Sequence, residues 1–167
     1  MKLTSAEANK LLRKLRDDHC ALRQREEEAR LFVAATTERL EDARPDYDYD
    51  ATQNSLAELE RQIRTIKHAI NRFNVSQTID ESGMTIDQAL VYIPQLSDRK
   101  RKLSLMRAAQ KKSRNESCRG SSLIEYTYAN YDIEQAERDF QAVNEELSRV
   151  QNALDLVNST VQFEIDV

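Results

Sequence analysis

The sequence predicts a mainly α protein: an elongated, antiparallel four-helix bundle built from coiled-coil hairpins, with a small auxiliary β-sheet. Three observations predict it. Only two Gly and two Pro occur in 167 residues, while 32 % of residues are charged and 6 % aromatic, the balance of long solvated helices. Apolar residues recur in alternating steps of three and four along most of the chain, the spacing of a helical packing seam. Two short stretches instead alternate apolar with polar residues, as half-buried strands do. The length fits a single helical domain over 1–167.

The first helix is expected over about 4–42, with a seam of Ala8, Leu12, Leu15, His19, Leu22, Glu26, Ala29, Val33, Thr36 and Leu40. His19, Glu26 and Thr36 loosen that seam, and Pro45 closes the segment by disfavouring helical geometry at Arg44. The second helix, about 52–74, has a clean seam of Leu56, Leu59, Ile63, Ile66, Ile70 and Phe73. A turn composition at 80–83 follows, with Gly83 able to take positive φ, so a short strand at about 77–79 is expected to fold back on Met84.

Thr85 and Gln88 form a capping box that opens the third helix, about 86–113. Pro94 lies inside it, where a missing donor kinks a helix. The helix is expected to fray in the run KKSRNES. Asp132 is the N-cap of the fourth helix, about 133–158, whose seam is Ile133, Ala136, Phe140, Val143, Leu147, Val150, Leu154 and Val157.

The remaining strands are expected at about 123–129 and 160–165. Ile124, Tyr126 and Tyr128 share one strand face, and Val161, Phe163 and Ile165 share another. A lone strand is not stable. In an up-down bundle these two lie at opposite ends of the last helix, about 40 Å apart at 1.5 Å per residue. They are therefore expected to pair across subunits as an assembly strand, which makes the chain a homo-oligomer, a dimer or higher.

The formal charge of −4 is unevenly spread. Residues 38–60 carry eight acidic and two basic side chains, and residues 96–119 carry nine basic and two acidic ones. Arg99, Lys100, Arg101, Lys102, Arg107, Lys111, Lys112, Arg114 and Arg119 form a candidate anion or nucleic-acid patch. Structured RNA is the alternative partner, set below self-assembly because the total charge is acidic. The acidic and basic runs can also neutralise each other between antiparallel subunits.

Catalytic and cofactor patterns are missing. Two glycines so far apart make no phosphate loop. Neither His19 nor His68 follows a Glu at the spacing of a di-iron bundle. Cys20 and Cys118 match no disulfide framework or metal spacing, and Cys118 beside Arg119 reads as a surface thiol. Asp46, Asp48 and Asp50 lack the Gly and distal Glu of a cation loop. No catalytic residue, metal or cofactor is expected, and an enzyme would need a site assembled between subunits around His19, Glu26 or Tyr126. The opening MKLTSAEANK has no signal-peptide core, and no apolar run approaches membrane length. A cytoplasmic protein with no membrane partner is expected.

Several segments recur together in one family: MKL before a charged helix, IKHAINRFN, GMTIDQAL, IEYTYANYDI and the TVQFEI tail. In these the chain resembles a family of uncharacterised small bacterial helical proteins, some of whose members carry the name septicolysin. The resemblance implies a helical bundle and an oligomer, with no established activity. Where the family carries an Arg-Asp in the third helix, this chain has Tyr92, Ile93 and Pro94. The name implies a pore-former, but the chain has no Trp and no membrane-length amphipathic hairpin. The reading that follows is a non-enzymatic oligomeric assembly or interaction protein.

Overall fold

One residue near the start of the chain, Thr4, serves both a strand and a helix. Lys2–Thr4 forms β1, and Thr4 then caps α1, Ser5–Ala29. The Glu7 N–H donates to the Thr4 hydroxyl at 3.3 Å, and the Thr4 N–H donates to the Glu7 carboxylate at 2.9 Å. This box satisfies donors that a helix start leaves open. The computed structural model describes residues 1–80, 83–115 and 124–166.

α1 packs antiparallel on α3, Tyr49–Ser76. Their buried cluster is Ala8, Leu12 and Leu15 against Ile66 and Ile70, completed by Ile165 from the far end of the sequence. Polar links continue along the pair: Gln53 donates to the Glu26 carboxylate, and the His19 ring lies 3.2 Å from Glu60. α3 begins earlier than expected because the Asp48 carboxylate accepts the Ala51 N–H at 2.9 Å.

α1 stops at Ala29, well short of residue 42. The hairpin register explains it. Glu26 meets Gln53, so the residues after Ala29 would pass the first turn of α3 with nothing to cover a seam. Val33, Thr36 and Thr37 are weak helix formers. The Glu38 carboxylate takes the Ala35 N–H at 2.9 Å, turning the chain locally. Only one helical turn, α2 at Leu40–Ala43, remains of the expected extension.

Between 77 and 86 the chain makes a tight hairpin. A bridge joins Thr78 to Thr85, the Ile79 N–H donates to the Met84 carbonyl at 2.9 Å, and Gly83 takes φ 77°. Residues 77–79 thus form a bridge rather than a strand. Arg149 reaches the turn, pairing with Asp80 and Glu146.

α4 is Ile86–Arg107, opened by the Thr85–Gln88 capping box and holding Pro94 in its interior. It ends six residues before the expected 113. The lysines and arginine beyond it are not a frayed end: Lys112–Arg114 is strand β2, antiparallel to β3, Tyr126–Tyr128. The Tyr131 hydroxyl donates to the Met106 carbonyl at 2.8 Å, satisfying an acceptor that the helix end leaves open. α5, Ile133–Thr160, buries Ala136, Val143, Leu147, Val150, Leu154 and Val157, six of the eight heptad positions read from sequence, while Ile133 and Phe140 are half-buried. The Asp132 carboxylate accepts the Glu134 N–H at 2.9 Å.

The last strand, β4 at Gln162–Glu164, pairs antiparallel with β1, placing Phe163 opposite Leu3. The Phe163 ring stacks on Phe73 with centroids 4.4 Å apart. The protein is therefore mainly α, with two small two-stranded sheets among the described residues. The chain divides into two compact units, Met1–Ser76 with Leu156–Val167, and Gln77–Asp155.

Acid should act on the helix caps and surface pairs. Hydrogen bonds from Thr4 hold the Glu7 carboxyl below its ordinary value, and Arg61 with Gln62 brings Glu58 down to about 2. A depressed carboxyl stabilises the fold above its unfolded pKa of 4.5, and that contribution fades as pH falls toward the folded value. Thr4→Ala removes the N-cap of α1 and should cost about 1 kcal/mol at neutral pH. Its melting difference from the parent should narrow at pH 3, as read by thermal unfolding at both pH values.

Candidate nucleic-acid interface

The β2–β3 ladder sets Lys112 opposite Tyr128, Ser113 opposite Thr127 and Arg114 opposite Tyr126. Directly paired residues share a face, and alternate residues along a strand share that face too. Lys112, Arg114, Tyr126 and Tyr128 thus project from one side of the ribbon, while Ser113 and Thr127 occupy the other. The Lys112 ammonium lies 4.0 Å from the Tyr126 ring centroid and 5.5 Å from that of Tyr128. The two rings stand 6.5 Å apart, tilted by 54°.

Both rings remain open to solvent, Tyr126 at 46 % and Tyr128 at 61 % exposure. The ladder continues past the strands, with the Ala129 N–H donating to the Lys111 carbonyl at 3.2 Å and the Asn115 N–H to the Glu125 carbonyl at 2.9 Å. At the ribbon's base the Arg107 guanidinium sits 3.8 Å above the Phe140 ring and pairs with Glu137 at 3.2 Å. Arg107 is thereby tied to α5.

The linear basic patch separates into distinct groups. Lys112 and Arg114 join the tyrosines on the ribbon, with Lys111 just before them. Arg99 and Lys102 line an open cavity of about 440 Å³ between α4 and α5, with Leu103, Met106, Ala142, Val143 and Asp139. Arg101 pairs with Asp98 at 2.8 Å, and Lys100 is half-buried. Arg119 and Cys118 lie outside the described residues.

The proposed pairing of the Tyr-rich strand with the C-terminal strand is corrected. Tyr126 and Tyr128 pair with β2, while Phe163 lies in β4 against β1. Each strand has a partner in its own chain, so the distance between them no longer calls for a second subunit. Ile124 is exposed, Val161 is half-buried and Ile165 belongs to the α1–α3 core. His19 and Glu26 also have local partners: Glu60 for the first, and the Tyr47 hydroxyl, 3.1 Å away, with Gln53 for the second. Burial and then the Glu26 hydrogen bond raise the Tyr47 phenol. Of the three acidic-turn aspartates, Asp48 is engaged as a helix cap.

Sequence reasoning named every cation of the ribbon but missed the strand they form. Lys-Ser-Arg has no apolar alternation, and its register is legible only beside Tyr-Thr-Tyr.

No helix among the described residues is long and apolar enough to cross a membrane. No family model and no curated protein matches the chain. A solved structure does: the crystal structure of a functionally unknown conserved protein from Corynebacterium diphtheriae. It aligns with a TM-score of 0.60 over 98 % of this chain and 100 % of its own, at 18 % identity. The comparisons attach no septicolysin name, and this likeness establishes a shared fold alone.

Proposed function

We propose that the chain is a non-enzymatic binding protein whose β2–β3 ribbon holds single-stranded nucleic acid. The observation that carries this reading is the shared face of Lys112, Arg114, Tyr126 and Tyr128, with both rings solvent-exposed. Single-strand binders combine cations that follow the phosphates with aromatic rings on which unpaired bases stack. A base entering beside Tyr126 exchanges the Lys112 cation for a stacking partner and frees that ammonium for a phosphate. Stacked duplex bases offer the rings no face, so the single strand is the substrate of choice.

A formal charge of −4 gives the molecule no long-range attraction for a polyanion. Binding then rests on a few local phosphate contacts. Two cations predict a slope of log affinity against log salt of about −1.4 for a single strand. Fluorescence anisotropy with a labelled oligothymidylate and a matched duplex tests this. Binding of the single strand with that shallow slope, in preference to the duplex, is the expected result. No binding at low salt, or tighter binding of the duplex, overturns the reading.

A further inference from the structure

Two surfaces of this chain have complementary chemistry. The α4–α5 cavity of about 440 Å³ has an apolar lining of Leu103, Met106, Ala142 and Val143 and two cations, Arg99 and Lys102. Arg101 and Arg107 nearby are matched by Asp98 and Glu137. Among the described residues, Arg99 and Lys102 have no such ion pair. Asp139, the carboxylate on the same wall, accepts from the Gln135 amide at 2.7 Å.

The second surface is the 31–42 segment. Leu31 is 79 % exposed and Val33 96 % exposed, with Phe32 and Leu40 also open to solvent. Glu38, Glu41 and Asp42 stand beside them against the single cation Arg39. Arg44, just beyond, lies 5.9 Å from the Phe32 ring centroid. So many uncovered apolar side chains in one short loop mark a surface that is covered on binding, and the carboxylates select a basic-rimmed socket.

We infer that this cavity receives the 31–42 segment of a second copy of the chain, its aliphatic side chains against the apolar lining and Glu41 and Asp42 against Arg99 and Lys102. Charge complementarity commits the cavity to that occupant: each chain carries both the acidic apolar segment and the basic apolar socket. The contact joins two different patches. It therefore closes into a dimer if the two engagements are reciprocal, and otherwise extends head to tail. It uses neither strand pair and none of the ribbon's four residues.

Sedimentation velocity over a concentration series tests this, with the single-chain mass of 19.3 kDa as reference. The parent should associate, and added salt should weaken the association. Arg99→Glu with Lys102→Glu should lower the association constant at least about tenfold, as should Glu41→Lys with Asp42→Lys. Mixed together, the two charge-reversed proteins should recover association with each other. All four positions are on the surface, and far-ultraviolet circular dichroism confirms that each variant is folded. A parent that stays monomeric, variants that associate like the parent, or a mixture that fails to recover overturns the inference. Oligonucleotide binding by the folded variants reads the ribbon separately, so failure of one proposal is distinguishable from failure of the other.

Discussion

Ile66→Ala should destabilise the protein by about 2–5 kcal/mol, the largest stability loss expected from a single truncation in the α1–α3 hairpin. Ile66 is 0 % exposed and belongs to the cluster of Ala8, Leu12, Leu15, Ile70 and Ile165. Ala8 is the reason the site relaxes poorly. Its small side chain lets the helices approach closely but cannot fill space vacated across the seam. Leu12 and Ile70 lie on regular helices, whose backbones resist collapse into a hole. Chemical denaturation should show a lower midpoint with an unchanged slope. Ile66→Val should cost only about 0.5–1.5 kcal/mol. An alanine variant that costs no more than about 1.5 kcal/mol, the upper end of the valine range, would mean that the seam is not closed at Ile66.

The largest functional effect should come from Tyr126→Ala with Tyr128→Ala. Stacking is worth about 1–3 kcal/mol per base, so losing both rings should weaken single-strand binding at least about thirtyfold. The salt slope should barely move, because the phosphate contacts remain. Lys112→Ala should do the reverse, lowering the magnitude of the slope by about 0.7. Tyr126→Phe with Tyr128→Phe supplies the control: it keeps the ring faces and should bind nearly as the parent does. An alanine pair with parental affinity removes the ribbon from the mechanism. A phenylalanine pair that fails like the alanine pair replaces stacking with hydroxyl recognition.

Long elements were legible in the sequence because their information is repeated. α5 states its buried face at Ala136, Val143, Leu147, Val150, Leu154 and Val157, each position reinforcing the last. The Thr85–Gln88 box fixed the start of α4 by local chemistry alone. What escaped was set by partners distant in sequence. The end of α1 depends on where α3 begins, which no seam position in α1 records. The four strands among the described residues have three residues each, too short for alternation to stand out. The candidate site shows the same division: charge density identified Lys112 and Arg114, but only ladder register places them beside Tyr126 and Tyr128.

The β1–β4 ladder also sets a timetable. Ile165, joined to Met1 by hydrogen bonds of 2.7 and 2.9 Å, completes the core that α1 and α3 begin. A ribosome adding about 5–20 residues per second makes α3 and then needs roughly 5–20 s more to reach that isoleucine. Throughout this interval the helical hairpin lacks its final core residue and β1 lacks its ladder partner, while all residues of Gln77–Asp155 are made. Completion of the first core is thus coupled to late translation. A stalled or truncated nascent chain would hold α1 and α3 with their seam open and offer it to chaperones and proteases.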